Sequence, residues 1–302
     1  MPSETIYSTP NGAVAVENWY QKALYNLPVP YESRYVDTCW GRTHVLITGN
    51  PNGQPLMLLH GLNNNALIWR PQLIALQKYR IYAVDIVGQP GRSALKRPSL
   101  AGGDYARWML DILNALKLEA VTMIGLSLGG YLTLKIGSFA PERVERAVLI
   151  SPAGLWPIRP ETALKIASSI LSPSQASYRR LLYSIFTTPG VPKRTDIDDA
   201  VSLLEIIHRH ERPAQGLREA METVLPGIPL SALEARRFVA PTLVLIGDRD
   251  MLFPADAVVK RAARVLPNLA AAEVMPRAGH ALIYEYPDRV NERILRFLNT
   301  GK

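Results

Sequence analysis

The strongest constraint on the fold comes from residues 123–130, which read Met-Ile-Gly-Leu-Ser-Leu-Gly-Gly and directly follow an apolar run. They place Ser127 at the centre of a G-x-S-x-G pattern, which is typical of a sharp turn from a β-strand into an α-helix. Gly125 and Gly129 leave room for a tight backbone, so the serine hydroxyl projects at the head of the helix. The N–H of Leu128 is expected to point to the same place. Because the pattern arises by chance in roughly one chain in ten of this length, its interpretation depends on the rest of the sequence.

Three further apolar segments end in turns that carry a histidine or carboxylates. They are residues 56–61 with His60, residues 242–250 with Asp248 and Asp250, and residues 271–281 with His280. In a parallel sheet, the carboxyl ends of the strands meet at one edge, where the functional groups of such folds gather. We therefore expect Ser127, one of the two carboxylates and His280 to lie close together.

Apolar strands and amphipathic helices alternate along most of the chain. This alternation predicts an α/β fold with a mainly parallel sheet that helices cover on both faces. The predicted strands are residues 34–39, 43–48, 55–60, 80–85, 120–125, 146–151, 241–246 and 271–275. The predicted helices are residues 12–30, 104–117 with Asp104 as the N-cap, 128–139 and 288–298.

The alternation stops between residues 155 and 238. Strand-like runs vanish there, prolines accumulate and helical patterns dominate. A segment of this length is too long for a bare loop in a compact domain. We therefore expect a helical cap at residues 155–238, inserted into a core of residues 1–154 and 239–302.

Composition excludes several other classes of protein. The 302 residues are 48% hydrophobic and 20% charged, which is sufficient for a large core, and the single cysteine, Cys39, rules out an intramolecular disulfide. The net charge of +8 is spread over basic residues that alternate with acidic ones, so we expect no nucleic-acid partner. No apolar run reaches the ~20 residues of a membrane span, and the N-terminus lacks signal-peptide features. We expect a cytoplasmic protein without stable membrane association, and the sequence leaves its oligomeric state open.

These motifs, in this order, resemble those of the serine esterases of the α/β-hydrolase fold, and within that superfamily the carboxylesterase NP family. Serine, then acid, then histidine is the chain order of this superfamily and differs from the orders of chymotrypsin and subtilisin. The closer resemblance lies on both sides of the predicted cap. It is carried by residues 41–45, 58–61, 82–88, 123–130, 141–144, 150–153, 278–280 and 290–293.

The resemblance implies a catalytic triad. Ser127 would be the nucleophile, His280 its general base, and Asp250 the acid that orients the histidine, since related enzymes use the later slot of Gly-x-x-Asp. Asp248, read as a turn residue that bonds its own backbone, is the alternative acid. The turn at His60 would hold the loop that carries one of the oxyanion donors.

The activity implied is hydrolysis of small to medium apolar carboxylic esters through an acyl-serine intermediate, without a metal or organic cofactor. The N–H groups of Leu62 and Leu128 are the expected oxyanion donors. The candidate pocket residues are apolar and adjacent to catalytic segments: Leu62, Leu126, Leu128, Ile68, Trp69, Trp156 and Phe253.

Other activities remain open at this stage. The same triad could cleave a thioester, a lactone, an amide or a carbon–carbon bond, and a lipase acting at a lipid surface would need a long apolar lid. Epoxide hydrolases and haloalkane dehalogenases are disfavoured because they carry aspartate at the position of Ser127. A non-catalytic ligand-binding protein on the same scaffold is a different class of hypothesis.

Overall fold

The computed structural model describes residues 6–7, 9–171, 174–191, 195–210 and 230–300. Eight strands in these ranges form one sheet. They are β1 Tyr31–Thr38, β2 Gly41–Gly49, β3 Pro55–Leu59, β4 Arg80–Val84, β5 Val121–Leu126, β6 Val144–Ile150, β7 Thr242–Gly247 and β8 Leu269–Met275. Their order across the sheet is β1-β2-β4-β3-β5-β6-β7-β8.

Most of the sheet is parallel. β1 pairs with β2, and β2 with β4, in antiparallel orientation, whereas every pair from β4 to β8 is parallel. Each residue of β5 and β7 is buried, because the central strands of a parallel sheet are covered on both faces. The predicted fold class is therefore confirmed.

Helices cover both faces of the sheet. In the described ranges they are α1 Pro10–Tyr25, α2 Arg70–Ala75, α3 Asp104–Ala115, α4 Leu128–Phe139, α5 Pro160–Leu171, α6 Gln175–Phe186, α7 Thr195–His210, α8 Ala232–Arg237, α9 Ala255–Val265, α10 Leu282–Glu285 and α11 Pro287–Asn299. One apolar cluster packs one face of the sheet against α3, α4, α8 and α9. A second cluster packs the opposite face against α1, α2, α7, α10 and α11.

The observed elements differ from the predicted ones mainly at their ends. The first helix ends at Tyr25, before Pro28 and Pro30, rather than at residue 30. The prediction that Asp104 caps the second helix is wrong, because Gly103 is the N-cap and Asp104 is the first helical residue. There the Asp104 carboxylate pairs with Arg107, one turn further along the helix. The short α2 and the amphipathic α9 were not predicted.

The chain between β6 and β7 contains α5, α6, α7 and α8, which lie within the predicted cap, whereas residues 172–173, 192–194 and 211–229 of that prediction lie outside the described residues. α7 packs against α1, and the Trp19 indole N–H donates to the backbone oxygen of Asp199 and to the Ser202 hydroxyl. At the other end of this region, Phe238 is fully buried in the core cluster beside α4. In the described part of the chain, no helix is long and apolar enough to span a membrane.

Candidate active site

Ser127 lies at the point where β5 turns into α4. Its backbone has φ of +51° and ψ of −110°, a strained conformation for a residue with a side chain. The end of β6 and the residues after it hold this turn in place. The Ser127 N–H donates to the Ile150 carbonyl at 2.9 Å, and the Ser127 carbonyl accepts from the Ala153 N–H at 3.1 Å. A Cβ on Gly125 would clash with the backbone of Gly129. The sharp turn that the sequence pattern predicted is present, and its backbone is strained at Ser127.

The loop after β3 lies beside this turn. A Cβ on Gly61 would come within 3.6 Å of the Ser127 Cβ. Among the described residues, the N–H groups of Leu62 and Leu128 have no hydrogen-bond partner. Two unsatisfied backbone donors next to a serine form an arrangement that can stabilise an oxyanion.

His60 fixes the loop that carries Leu62. Its Nε2 accepts from the N–H of Ile86 at 3.0 Å, so the proton resides on Nδ1, which donates to the Gly61 carbonyl at 2.7 Å. Burial lowers the pKa of His60 to about 4, so the ring is neutral at pH 7. This histidine therefore connects the loops after β3 and β4.

His280 forms a close pair with Asp250. The distance from His280 Nδ1 to Asp250 Oδ2 is 2.9 Å, and both side chains are buried. The second oxygen of Asp250 accepts from the N–H groups of Leu252 and Phe253 at 2.8 and 3.0 Å. With the carboxylate held in this way, Nδ1 of the histidine donates to it, and Nε2 is left as the basic nitrogen.

Asp248 has a different environment from Asp250. Its Oδ1 accepts from the N–H of Ala278 at 3.2 Å, which joins the end of β7 to the loop before His280. The prediction that Asp248 bonds its own backbone is wrong, because Asp250 makes the local turn bonds instead. Of the two acids, Asp250 is the one that contacts His280.

Ser127 and His280 line one cavity of about 480 Å³. In the described part of the molecule, the Ser127 hydroxyl makes no hydrogen bond, including to His280. Apolar side chains make up most of the wall, and Asn64 and Tyr284 add polar groups. The lining residues are Gly61, Leu62, Asn64, Ile68, Leu126, Ser127, Phe186, Leu252, His280, Ala281, Ile283 and Tyr284.

The predicted pocket residues differ in where they lie, and Leu128 is buried in the core cluster without lining the cavity. Leu62, Ile68 and Leu126 line the cavity, and the Phe253 ring lies behind the site with its centroid 5.7 Å from that of His280. The prediction is wrong for the two tryptophans, neither of which is among the residues lining this cavity. Trp69 is fully buried in the core cluster, because its 3₁₀ turn directs it inwards, and Trp156 is 39% exposed.

The sequence matches the alpha/beta hydrolase family over residues 56–293. The chain belongs to this family. The match confirms the resemblance that the motifs predicted, and with it the expectation that the protein is a hydrolase.

Individual relatives agree with the family. A Bacillus subtilis protein described as the uncharacterized carboxylesterase nap is 31% identical over 305 residues, which cover 98% of this chain and 96% of that protein. The crystal structure of carboxylesterase CesB (YbfK) from Bacillus subtilis superposes with a TM-score of 0.82 at 28% identity, covering 97% of this chain and 100% of that one. Naproxen esterase (carboxylesterase NP) from Bacillus subtilis gives 0.79 at 30% identity, with 97% and 100% covered.

Glu285 is a buried carboxylate of this alpha/beta hydrolase that sequence reasoning missed. It accepts from the N–H of Gly279, immediately before His280, and from the N–H of Thr188, which follows α6. The carboxylate therefore links the histidine loop to the helical region between β6 and β7. An acid within the apolar run of residues 278–286 is the signal that could have identified it.

Proposed function

We propose that this alpha/beta hydrolase is a carboxylesterase that cleaves small to medium apolar carboxylic esters through an acyl-Ser127 intermediate. The observation that carries the proposal is the cavity that Ser127 shares with His280, whose Nδ1 lies 2.9 Å from Asp250. The carboxylesterase descriptions of the relatives support the same reaction. The apolar wall of the cavity favours an apolar acyl or alcohol group.

In the first half of the reaction, the Ser127 oxygen attacks the ester carbonyl carbon while Nε2 of His280 takes the hydroxyl proton. Asp250 stabilises the resulting imidazolium and does not itself take a proton. The bound ester brings the hydroxyl and Nε2 into hydrogen-bond contact, since such contacts are often long in the free enzyme. The N–H groups of Leu62 and Leu128 donate to the oxyanion.

The tetrahedral intermediate then collapses. The carbon–oxygen bond to the alcohol breaks, and Nε2 of His280 returns its proton to the leaving alcohol. Water enters, gives a proton to the same nitrogen and attacks the acyl carbon, so that the acid is released and Ser127 regains its proton. The reaction therefore needs only the groups of this chain, the ester and one water molecule.

The oxyanion donors are backbone groups, and losing one such donor costs about 10²–10³ in rate. Because a backbone N–H survives side-chain exchange, the side chains of Leu62 and Leu128 act through packing rather than through hydrogen bonding. No metal or organic cofactor is required by this sequence of steps, so activity is expected to survive dialysis against a chelator.

We further propose that the protein is cytoplasmic and that its substrate is a small-molecule ester. The chain has one cysteine, and Cys39 is an exposed free thiol, as is usual for proteins of reducing compartments. Fractionation of the source cells tests this location, and activity confined to a membrane or secreted fraction would exclude it.

Hydrolysis of p-nitrophenyl esters from acetate to laurate tests the proposed function. We expect turnover of the short and medium esters, with a fall towards laurate as the chain exceeds the cavity, and no turnover by Ser127→Ala. A folded protein that leaves all these esters intact would contradict the esterase proposal. In that case, turnover of thioesters or of carbon–carbon substrates would indicate another acyl-transfer activity, and no turnover of any kind would indicate a binding protein.

A further inference from the structure

A second, smaller cavity adjoins the one that contains Ser127. The two cavities have Asn64, Ile68 and Tyr284 in common, so they meet at these three side chains. The second cavity lies between α1, α7 and the segment around α2. Its lining residues are Trp19, Ala23, Asn26, Asn64, Leu67, Ile68, Arg70, Asp196, Asp199, Ala200 and Tyr284.

Tyr284 is a buried polar residue at the place where the two cavities meet. It is 3% exposed, and in the described part of the chain its hydroxyl has no hydrogen-bond partner. Burial, reinforced by the carboxylates of Asp196 and Asp199, raises the pKa of Tyr284 well above its ordinary value. The hydroxyl is therefore protonated, and its oxygen is free to accept from a ligand.

The charged groups of the second cavity do not balance. Arg70 and Asp196 form an ion pair at 2.8 Å, which satisfies both charges. The carboxylate of Asp199, which is an exposed residue at the rim of this cavity, makes no hydrogen bond or ion pair with the described residues. Partial burial raises the pKa of Asp199, an effect that the exposed Lys22 on α1 partly offsets. One carboxylate at this cavity is therefore left for a partner.

Trp19 supplies the third feature of the cavity. Its indole N–H is already used for contacts with α7, so the ring is what it offers to a ligand. A tryptophan ring, a carboxylate and a phenolic oxygen together are the groups that recognise an ammonium ion. An anionic ligand would instead meet the unpaired carboxylate.

We propose that the second cavity binds a cationic group, of the ammonium class, at the end of the substrate remote from the scissile ester. The proposal rests on the proposed function, because it places the ester at Ser127 in the first cavity. An apolar chain lies along the first cavity and passes Tyr284 and Ile68, and its ammonium head is held by Asp199, the Tyr284 oxygen and the Trp19 ring. The enzyme therefore prefers esters that carry a positive charge several bonds from the carbonyl.

Competitive inhibition tests this proposal independently of which half of the ester bears the charge. n-Hexylammonium and 1-hexanol have the same chain and differ in the charge of the head group. Against p-nitrophenyl acetate hydrolysis, we expect n-hexylammonium to inhibit at least fivefold more tightly than 1-hexanol, in line with a partly exposed ion pair and a cation–π contact. Equal inhibition by the two compounds would overturn the proposal.

Asp199→Asn removes the charge with almost no change of shape, and is expected to abolish the advantage of n-hexylammonium while leaving acetate hydrolysis unchanged. Asp198→Asn is the matched control: it makes the same charge change on the same helix, at a carboxylate that accepts from the Tyr183 hydroxyl and does not line the cavity. An equal loss in both variants would reduce the effect to general electrostatics and overturn the site.

Direct binding separates this proposal from the proposed function. Calorimetric titration of n-hexylammonium into the wild-type protein and into Asp199→Asn needs no turnover. Weaker binding to the variant supports the site even if the protein hydrolyses no ester, whereas ester hydrolysis with no difference in binding overturns the site and leaves the esterase proposal intact. Tyr284→Phe, which keeps the ring, is expected to weaken binding of n-hexylammonium as well.

Discussion

Among the described residues, two buried histidine–aspartate pairs occur, and their nitrogen–oxygen distances are nearly identical. His280 Nδ1 lies 2.9 Å from Asp250, and His44 Nδ1 lies 3.0 Å from Asp85. Each aspartate follows a strand of the sheet. The other ring nitrogen of His44, Nε2, forms a hydrogen bond with the Ser33 hydroxyl at 2.6 Å. The serine–histidine–aspartate chain of hydrogen bonds is therefore complete at the pair that is not in the active site.

The surroundings distinguish the two pairs. Asp85 also accepts from the N–H groups of Ala66 and Arg92, so it ties together the loops after β3 and β4. Although burial raises the pKa of a carboxyl, the hydrogen bond from His44 and these N–H donors hold the pKa of Asp85 below its ordinary value. Neither of the two cavities is lined by any member of this network.

At His280, by contrast, Nε2 has no hydrogen-bond partner among the described residues, and the serine and two backbone N–H groups nearby are also unsatisfied. Because Ser127 and His280 line the cavity, a bound ligand can use the groups that no protein atom occupies. The comparison shows that the pair alone does not define an active site. The nearby hydrogen-bonding groups must also be free to bind a ligand, as they are around His280.

The largest expected effect separates the two serines. Ser127→Ala is expected to lower kcat for p-nitrophenyl butyrate by about 10⁶, as removal of a triad serine does elsewhere. Ser33→Ala is expected to leave kcat within about twofold, because Ser33 has no substrate cavity. Steady-state kinetics on both variants, with circular dichroism as the folding control, makes the comparison. A similar loss in the two variants would remove the distinction between the pairs.

The next largest effect separates the two acids near His280. Asp250→Asn is expected to lower kcat by about 10⁴, because the amide no longer holds the productive tautomer of the imidazole. Asp248→Asn keeps an oxygen for the Ala278 N–H and is expected to cost much less. The assignment of the acid is wrong if Asp248→Asn has the larger effect on kcat.

The His44–Asp85 pair is expected to contribute to the stability of the fold rather than to catalysis. Asp85→Asn leaves His44, Ala66 and Arg92 with a weaker acceptor, and breaking a buried pair of this kind costs about 3 kcal/mol of unfolding free energy. Urea unfolding measures this loss, and kcat per folded molecule is expected to stay close to wild type. A loss of kcat like that of Asp250→Asn, without destabilisation, would give the His44 pair a catalytic role.

His60 is a third buried histidine, and it lacks a carboxylate partner. Its pKa is lowered to about 4 by burial, against about 6.5 in the unfolded chain. Between these values the unfolded state binds more protons, so stability is present above pH 6.5 and is lost as the pH falls towards 4, by about 3 kcal/mol. The urea midpoint as a function of pH measures this, and His60→Gln is expected to flatten the slope. An unchanged slope would mean that other groups cause the loss.

The smallest effect concerns the support of His280. Glu285→Gln replaces one acceptor oxygen by an amide that cannot accept from a backbone N–H, which displaces Gly279 or Thr188. Small displacements of a catalytic group cost up to about 10² in rate, so we expect kcat to fall about 10- to 100-fold with little change in KM. Glu285→Asp, which keeps both acceptors, is expected to recover part of the loss. A fall in Tm with normal kcat would make Glu285 a purely structural residue.

The sequence predicted those parts of the site that local chemistry determines. The turn at Ser127 follows from glycines two residues away on either side, and α4 spans the residues predicted for it. Ser127, Asp250 and His280 were placed by the turns that follow apolar runs. The loop of His280 is different, since Gly279 is held by Glu285 and Ala278 by Asp248, and those contacts join distant segments.

The two tryptophans predicted to line the pocket were misplaced because their positions also depend on contacts between distant segments. Trp69 and Trp156 are adjacent in sequence to segments of the site, but the direction of a side chain depends on how its segment packs. Trp69 is directed into the core and Trp156 towards solvent. Tyr284 and Asn64, which line both cavities, carry no motif, and only the packing of the loop after β3 against α10 brings them together.

Covalent capture by a fluorophosphonate, followed by peptide mass spectrometry of the wild-type protein, tests the central claim most directly. The reagent reports an activated serine without assuming a substrate. Labelling of Ser127 alone, with Ser33 unmodified, is the predicted result. Labelling of Ser33, or an unlabelled Ser127 in folded protein, would contradict the conclusion that the unsatisfied groups around His280 make the active site.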